Sequence, residues 1–149
     1  MIEVVFGPDE PVADFVAKLI PGCERGFERP RSFGVLLNNY LVAGVVFTNW
    51  QPEAGTIELH TASTTPRWLT GPVIRTVFRY VFDRCQCQMA ILRVAEHNAP
   101  MRSIAERLGF TPHVIPRLFG RDEAGVVYTL TEEQWRASRF ERAKHHVEA

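Results

Sequence analysis

The order of elements between Thr56 and Ala95 limits the possible folds more than any other feature of this sequence. "TIELHTAS" (56–63) and "MAILRVA" (89–95) are short β-rich runs that predict two strands. The segment between them predicts an amphipathic helix, because apolar residues recur at i, i+3, i+4, i+7 and i+8: Val73, Ile74, Val77, Phe78, Val81 and Phe82. A strand, a helix and a strand in this order predict a right-handed crossover between parallel strands.

We predict that this crossover helix runs from Thr70 to Cys85. Thr70 can cap its N-terminus with a hydroxyl, and Pro72 suits the first turn, where its missing N–H is not needed. After the second strand, "MRSIAERLGF" (101–110) predicts a further helix that Gly109 closes.

The segments before the crossover predict a strand, a helix and a β-hairpin. "IEVVF" (2–6) is the strand, and "PVADFVAKLIPG" (11–22) contains the helix. The apolar face of that helix consists of Val12, Phe15, Val16 and Leu19. "RSFGVLLNNYLVAGVVFTNW" (31–50) predicts two strands joined at Asn38 and Asn39. The continuous apolar run in the second strand is typical of a strand covered on both faces.

The C-terminal part predicts a second hairpin and a last helix. The hairpin strands are "HVIPRLFG" (113–120) and "GVVYTL" (125–130). Thr131 with Gln134 three residues later resembles a capping box, which would open a tail helix reaching His146. Trp135 and Phe140 are its apolar positions, and they could dock on the core or on a second copy in a homodimer.

Length and composition indicate one neutral domain. A chain of 149 residues fits a single core. Lys plus Arg equals Asp plus Glu at 17 each, so the chain as a whole offers no basic field for nucleic acid. The longest apolar runs, such as "YLVAGVVF" (40–47), are far shorter than a membrane span of about 20 residues, and the start lacks a signal pattern. We therefore expect a cytoplasmic protein without a membrane partner.

Cysteine usage predicts neither disulfides nor a metal. Cys23, Cys85 and Cys87 are odd in number and do not form a disulfide framework. The C-x-C pair lacks the second Cys/His pair that a zinc site would need.

Together these elements give the order β-α-β-β-β-α-β-α-β-β, and the chain resembles the Gcn5-related N-acetyltransferase superfamily. The anchor is "NAPMRSIAERLGF" (98–110), which is similar to that family's segment from an Asn to Gly-Phe. "VVYTLTEEQW" (126–135) is similar to the ending of the branch with the ribosomal-protein N-acetyltransferases and of short phage-encoded members. The resemblance covers roughly Arg31 to Trp135.

The resemblance implies an α/β (α+β) fold of a single domain, residues 1–149, with 131–149 as a helical tail. Its sheet would be mixed and mostly antiparallel, and its parallel fourth and fifth strands would separate around coenzyme A. It further implies an acetyl-CoA-dependent N-acetyltransferase that uses a primary amine of a small molecule, a protein N-terminus or a lysine as acceptor.

Residues for acetyl-CoA follow from the same resemblance. Asn98 would help to hold coenzyme A, although Asn is also a leading N-cap residue and could only cap the helix. "RWLTGP" (67–72) matches the family's phosphate-binding turn through Arg67 and Gly71, whereas Thr70 and Pro72 occupy places where small residues are usual. Thr61, Ala62 and Ser63 would lie along the pantetheine arm, and Trp68 belongs to the same turn. Without the family, "PRWLTGP" (66–72) is only a turn before a helix.

His60 and Glu58 are the candidate catalytic residues. They lie two residues apart on one strand and therefore point to the same face. An imidazole can accept a proton near neutral pH, and Glu58 could orient it. The alternatives are a structural strand histidine and a surface carboxylate.

No candidate for the general acid appears at the positions that relatives use. Many relatives carry a Tyr where this chain has Ala105, and others carry a Ser where it has Met101. These absences keep a second hypothesis open, in which the fold serves a non-catalytic interaction protein, such as a phage component that binds a host or virion protein.

Overall fold

The computed structural model describes residues 2–6, 9–20 and 31–141. The strands are β1 (Ile2–Phe6), β2 (Arg31–Leu37), β3 (Tyr40–Gln51), β4 (Thr56–Ser63), β5 (Met89–Ala95), β6 (Thr111–Gly120) and β7 (Glu123–Thr131). The helices are α1 (Asp9–Leu19), α2 (Gly71–Arg79), α3 (Ala99–Arg107) and α4 (Glu132–Ala137). A short 3-10 turn, Pro66–Trp68, links β4 to α2.

The seven strands form one mixed sheet in the order β1-β2-β3-β4-β5-β7-β6. Among the strands that the structure describes, only β4 and β5 pair in parallel, and α2 connects them, so the crossover predicted from the sequence is confirmed. All other neighbours are antiparallel. The predicted hairpin at Asn38 and Asn39 is also confirmed, with φ of 53° and 70° at these residues, as a tight hairpin turn requires.

Helices cover both faces of the sheet. On one face, α1 buries Ala13 and Val16 against Val46 of β3. On the other face, α2 and α3 pack over the larger core, which includes Leu59 and Leu92. The prediction that β3 is covered on both faces is therefore confirmed.

The predicted apolar face of α1 was wrong at one position. Val12 and Val16 are buried and Phe15 is half-buried, but Leu19 is 42% exposed. Ala13 and Ala17 are buried instead, because close approach of the helix to the sheet favours small side chains.

The crossover helix changes its winding before it ends. Thr70 caps α2 and Pro72 lies in its first turn, as predicted. From Tyr80 to Arg84 the backbone forms a π-helical turn, and the N–H of Cys85 donates to the carbonyl of Tyr80 at 2.9 Å. This wider turn keeps the last two residues of the predicted stripe, Val81 and Phe82, in the core.

The predicted tail helix is interrupted at Ser138, and helical backbone resumes at residues 139–141. The capping box of Thr131 and Gln134 is confirmed, and Trp135 is buried in the main core rather than on a partner. Ser138 has an extended backbone with ψ of 154°, which ends α4 at Ala137. The rest of the predicted helix beyond residue 141 lies outside the described residues, as does Cys23.

Within residues 2–6, 9–20 and 31–141, no helix is long and apolar enough to cross a membrane. No group of three or more His, Cys, Asp or Glu side chains in these ranges is placed to hold a metal ion. Cys85 and Cys87 are free thiols.

Candidate functional site

The two parallel strands separate halfway along their length. Pairing of β4 with β5 begins at Thr56 with Met89 and stops at Leu59 with Leu92. Beyond that point β4 continues to Ser63 and β5 continues to Ala95. A gap therefore opens between the C-terminal ends of the two strands.

Backbone N–H groups of β4 point into this gap. The N–H of Thr64 donates to the carbonyl of Val42 on β3 at 2.8 Å. Successive residues of a strand direct their N–H groups to opposite neighbours, so Ala62 faces β3, whereas Thr61 and Ser63 face the side where β5 has diverged. These two N–H groups can serve as donors to an extended polar ligand.

The first turn of α3 closes one end of the gap. Asn98 caps this helix, because its Oδ1 accepts from the N–H of Met101 at 3.3 Å. The Met101 Sδ lies 3.6 Å from the Oγ1 of Thr61 on β4. The helix therefore touches the strand directly across the opening.

A polar network holds α3 against β7. The hydroxyl of Tyr128 donates to Glu106 Oε2 at 2.9 Å and accepts from Arg102 Nε at 3.2 Å. Ala105, between these partners, is fully buried. Because α3 is fixed at its middle, the side of the helix that faces β4 is fixed as well.

A cavity of about 700 Å³ borders the open end of β4. One wall consists of residues 63–66, Trp68 and Leu69 together with Ile74 of α2, a second is α3, and the third is Arg139 with Phe140 after α4. Two arginines, Arg107 and Arg139, line it, and no Asp or Glu does among the residues that the structure describes. Hydroxyl and apolar side chains supply the rest of the lining, so the cavity suits an anion that also carries apolar groups.

The eight predicted cofactor residues fall into three groups by their position relative to the cavity and the gap. Ser63 and Trp68 line the cavity, and Trp68 is buried. Thr61 borders the gap, and Ala62 packs toward α1 on the opposite face of the sheet. The remaining four, Arg67, Thr70, Gly71 and Asn98, do not line the cavity.

The turn before α2 is built by its own hydroxyls. Thr65 Oγ1 accepts from the N–H of Arg67 at 3.2 Å, and Thr70 Oγ1 accepts from the N–H of Val73 at 3.4 Å. The Arg67 side chain is exposed. A Cβ added at Gly71 would lie 3.3 Å from the Arg75 guanidinium. The charged end of Arg75 therefore lies close to the first residue of α2.

His60 and Glu58 occupy the face of β4 that α1 covers. The Nε2 of His60 lies 2.8 Å from the Oγ1 of Thr48 on β3. Burial lowers the pKa of His60 below its ordinary value of 6.5, while Glu58 acts to raise that pKa and Arg93 acts to lower it. The imidazole is therefore neutral at pH 7 and can accept a proton. It lies on the opposite face of the sheet from the cavity.

Sequence reasoning missed the contributions of α3 and of the tail to the cavity. Ser103, Arg107, Arg139 and Phe140 all line it. The only signal in the sequence was the apolar position of Phe140 in the tail, because nothing local indicates that the chain returns to this site.

A mixed sheet whose single parallel pair opens beside a cavity defines the acyl-CoA N-acyltransferase fold. No protein-family model and no curated protein sequence matches the chain. Solved structures do match it. A candidate acetyltransferase superposes with a TM-score of 0.74 at 16% identity over 98% of this chain and 93% of that one.

Two further structures carry more specific names. Mutant forms of the spermidine/spermine N-acetyltransferase SpeG from Vibrio cholerae match with a TM-score of 0.73 at 12% identity, over 93% of this chain and 100% of that one. A GCN5-related N-acetyltransferase from Brucella melitensis matches with a TM-score of 0.65 at 19% identity, over 80% of this chain and 58% of that one. The chain also covers 63% of the length of another, longer solved structure of an acetyltransferase. The chain therefore has the fold of the Gcn5-related N-acetyltransferases.

Proposed function

We propose that this protein is an N-acetyltransferase that transfers the acetyl group of acetyl-CoA to a primary amine. The observation that carries the proposal is the gap between β4 and β5, which continues into a cavity with two arginines and no described carboxylate. Acetyl-CoA has the matching chemistry, with a narrow amide-bearing arm at one end and phosphates at the other.

In this proposal the arm of acetyl-CoA lies in the gap. The N–H groups of Thr61 and Ser63 donate to its amide and thioester oxygens. The pyrophosphate lies toward Arg67, Thr70 and Gly71, just outside the cavity lining, where the N–H of Gly71 and the dipole of α2 favour an anion. The N–H of Val73 already donates to Thr70 Oγ1. Pro72 removes one donor from that turn, which weakens phosphate binding there. Asn98 combines its capping role with a contact to the arm.

The proposed chemistry needs a neutral amine. The amine enters from the α1 face, and His60 accepts its proton, directly or through water, as the nitrogen bonds to the thioester carbonyl carbon. Glu58 orients the imidazole. The carbon–sulfur bond then breaks and the thiolate leaves without a dedicated protein acid, since Ala105 and Met101 carry no acidic hydrogen on their side chains.

The acceptor remains a class rather than a compound: an amine of a small molecule, a protein N-terminus or a lysine. The family resemblance implies that the acceptor is recognised by "PGCERGFERPR" (21–31), of which 21–30 lie outside the described residues, and by "FGRDEAG" (119–125). A cytoplasmic location, a homodimer and the phage-like origin stay predictions.

Calorimetric titration of acetyl-CoA into the purified protein tests the proposal, with Asn98→Ala and Arg67→Ala in parallel. We expect micromolar binding in the parent and weaker binding in both variants, followed by a screen of amines for acetyl transfer. Absence of binding at high acetyl-CoA concentration would reject the enzyme and favour the non-catalytic interaction protein, whose partner a pull-down could then identify.

A further inference from the structure

The segment after α4 returns to the cavity. Its backbone leaves the helix at Ser138, and the next two residues, Arg139 and Phe140, line the cavity beside the β4–α2 segment. Neither residue belongs to the strands or to the turn that the family resemblance places around coenzyme A. The tail therefore adds a wall to the cavity.

A buried ion pair attaches this segment to α2. Glu141 is only 3% exposed, and its Oε1 lies 2.6 Å from the Nη2 of Arg79. A second contact joins Arg79 Nε to Glu141 Oε2 at 3.4 Å. The Nη1 of Arg75 also donates to the carbonyl of Phe140 at 3.5 Å. A buried carboxylate is costly without its cation, so this pair holds the segment in one position.

The cation on this wall has no carboxylate partner among the described residues. The Arg139 guanidinium lies 4.9 Å from the centre of the Phe140 ring and forms no ion pair in the described parts of the chain. Arg107 lines the same cavity from α3. Two guanidinium groups without a carboxylate between them favour a bound anion, and a guanidinium matches the geometry of phosphate oxygens.

We propose that Ser138–Glu141 forms the third wall of the acetyl-CoA site and that Arg139 binds a phosphate group at the nucleotide end of this cofactor. The Glu141–Arg79 pair positions Arg139 and does not touch the ligand. This inference rests on the proposed function, because it takes acetyl-CoA as the occupant of the cavity.

The test compares Arg139→Gln with Arg84→Gln, which removes the same charge from an exposed residue that does not line the cavity. Calorimetry measures the Kd for coenzyme A in the parent and in both variants. We expect Arg139→Gln to raise this Kd about tenfold, since a charge-assisted hydrogen bond of about 1.4 kcal/mol corresponds to that factor. Arg84→Gln leaves the Kd unchanged.

A second ligand and a third variant identify the phosphate and the role of the ion pair. If Arg139 contacts the 3′-phosphate, 3′-dephospho-coenzyme A binds the parent and Arg139→Gln equally well. If it contacts the pyrophosphate, the tenfold loss persists with this ligand. Glu141→Gln should raise the Kd for coenzyme A and lower the melting temperature, whereas Arg139→Gln keeps the parent's melting temperature.

The outcomes separate this inference from the proposed function. If the parent binds coenzyme A and the Kd of Arg139→Gln equals that of Arg84→Gln, the inference is overturned. The proposed function then remains intact. A parent that binds no coenzyme A overturns both.

Discussion

The β4–β5 pair has a closed half, in which the two strands pair with each other, and an open half, in which they have separated. In the closed half, Thr56–Leu59 pairs with Met89–Leu92, and Leu59 is buried in the main core. In the open half, His60–Ser63 has left β5 and every residue is partly exposed. The closed half satisfies its N–H groups within the sheet, whereas the open half directs two of them at a gap. The same strand thus serves stability at one end and ligand binding at the other.

The largest expected difference between the two halves concerns packing. Leu59→Ala should lower the free energy of unfolding by about 2–5 kcal/mol, because it leaves a cavity in the core. Thr61→Ala, two residues further on the same face, should cost less than about 1 kcal/mol, because its hydroxyl has only a long contact to Met101. Urea denaturation measures both. Equal losses would show that the open half also depends on packing.

Proline at neighbouring positions tests the direction of the N–H groups. Ala62→Pro removes an N–H that faces β3 and should cost about 2–3 kcal/mol of unfolding free energy. Ser63→Pro removes an N–H that faces the gap, so it should cost less than about 1 kcal/mol but weaken acetyl-CoA binding. Ser63→Ala is the control, since it loses the hydroxyl and keeps the N–H. Equal affinity of Ser63→Pro and Ser63→Ala would contradict a role for this N–H.

The two proposed roles of Asn98, capping α3 and binding acetyl-CoA, can be tested separately. Asn98→Ala removes the cap of α3 and should cost about 1 kcal/mol of stability. Asn98→Ser keeps a capping oxygen and should leave the thermal midpoint almost unchanged. If Asn98 also binds the cofactor, both variants bind acetyl-CoA more weakly than the parent. Parent-like affinity in Asn98→Ser would reduce this residue to a cap.

The smallest expected effects concern the charge state of His60. An NMR titration of the imidazole measures its pKa. Burial places its folded-state pKa below 6.5, so Glu58→Gln should lower this pKa further and Arg93→Gln should raise it. Well above pH 6.5 the imidazole is mostly neutral in both the folded and the unfolded chain.

This shift also makes stability depend on pH. As pH falls below about 6.5, the unfolded chain binds a proton before the folded chain does, so the free energy of unfolding decreases until the folded pKa is passed. His60→Gln should remove this decrease. Persistence of the full pH dependence in that variant would assign it to another group.

Local patterns predicted the elements well where the chain's own backbone decides them. The Asn38-Asn39 turn, the Thr70 cap, the Gly109 helix end and the Thr131–Gln134 box were all found as predicted. Each depends on residues within a few positions of one another, so sequence spacing contains the information. The exposure of Leu19 and the break of the tail helix at Ser138 were not predicted, because the environment of both residues comes from distant segments.

The candidate site was predictable only in part for the same reason. Ser63 and Trp68 lie on the segment that the resemblance marks, and they line the cavity. Arg107 and Arg139 reach it from α3 and from the tail, and no local pattern links either residue to β4.

The sequence by itself determined the strands, the caps and the parallel crossover, because hydrophobic periodicity and turn chemistry are local properties of the chain. Only the tertiary structure decided that β4 and β5 part after Leu59 and Leu92, and that a buried Glu141–Arg79 pair brings Arg139 to the opening. Both depend on contacts between residues far apart in sequence, whose free energy exists only once the whole sheet and its helices are packed.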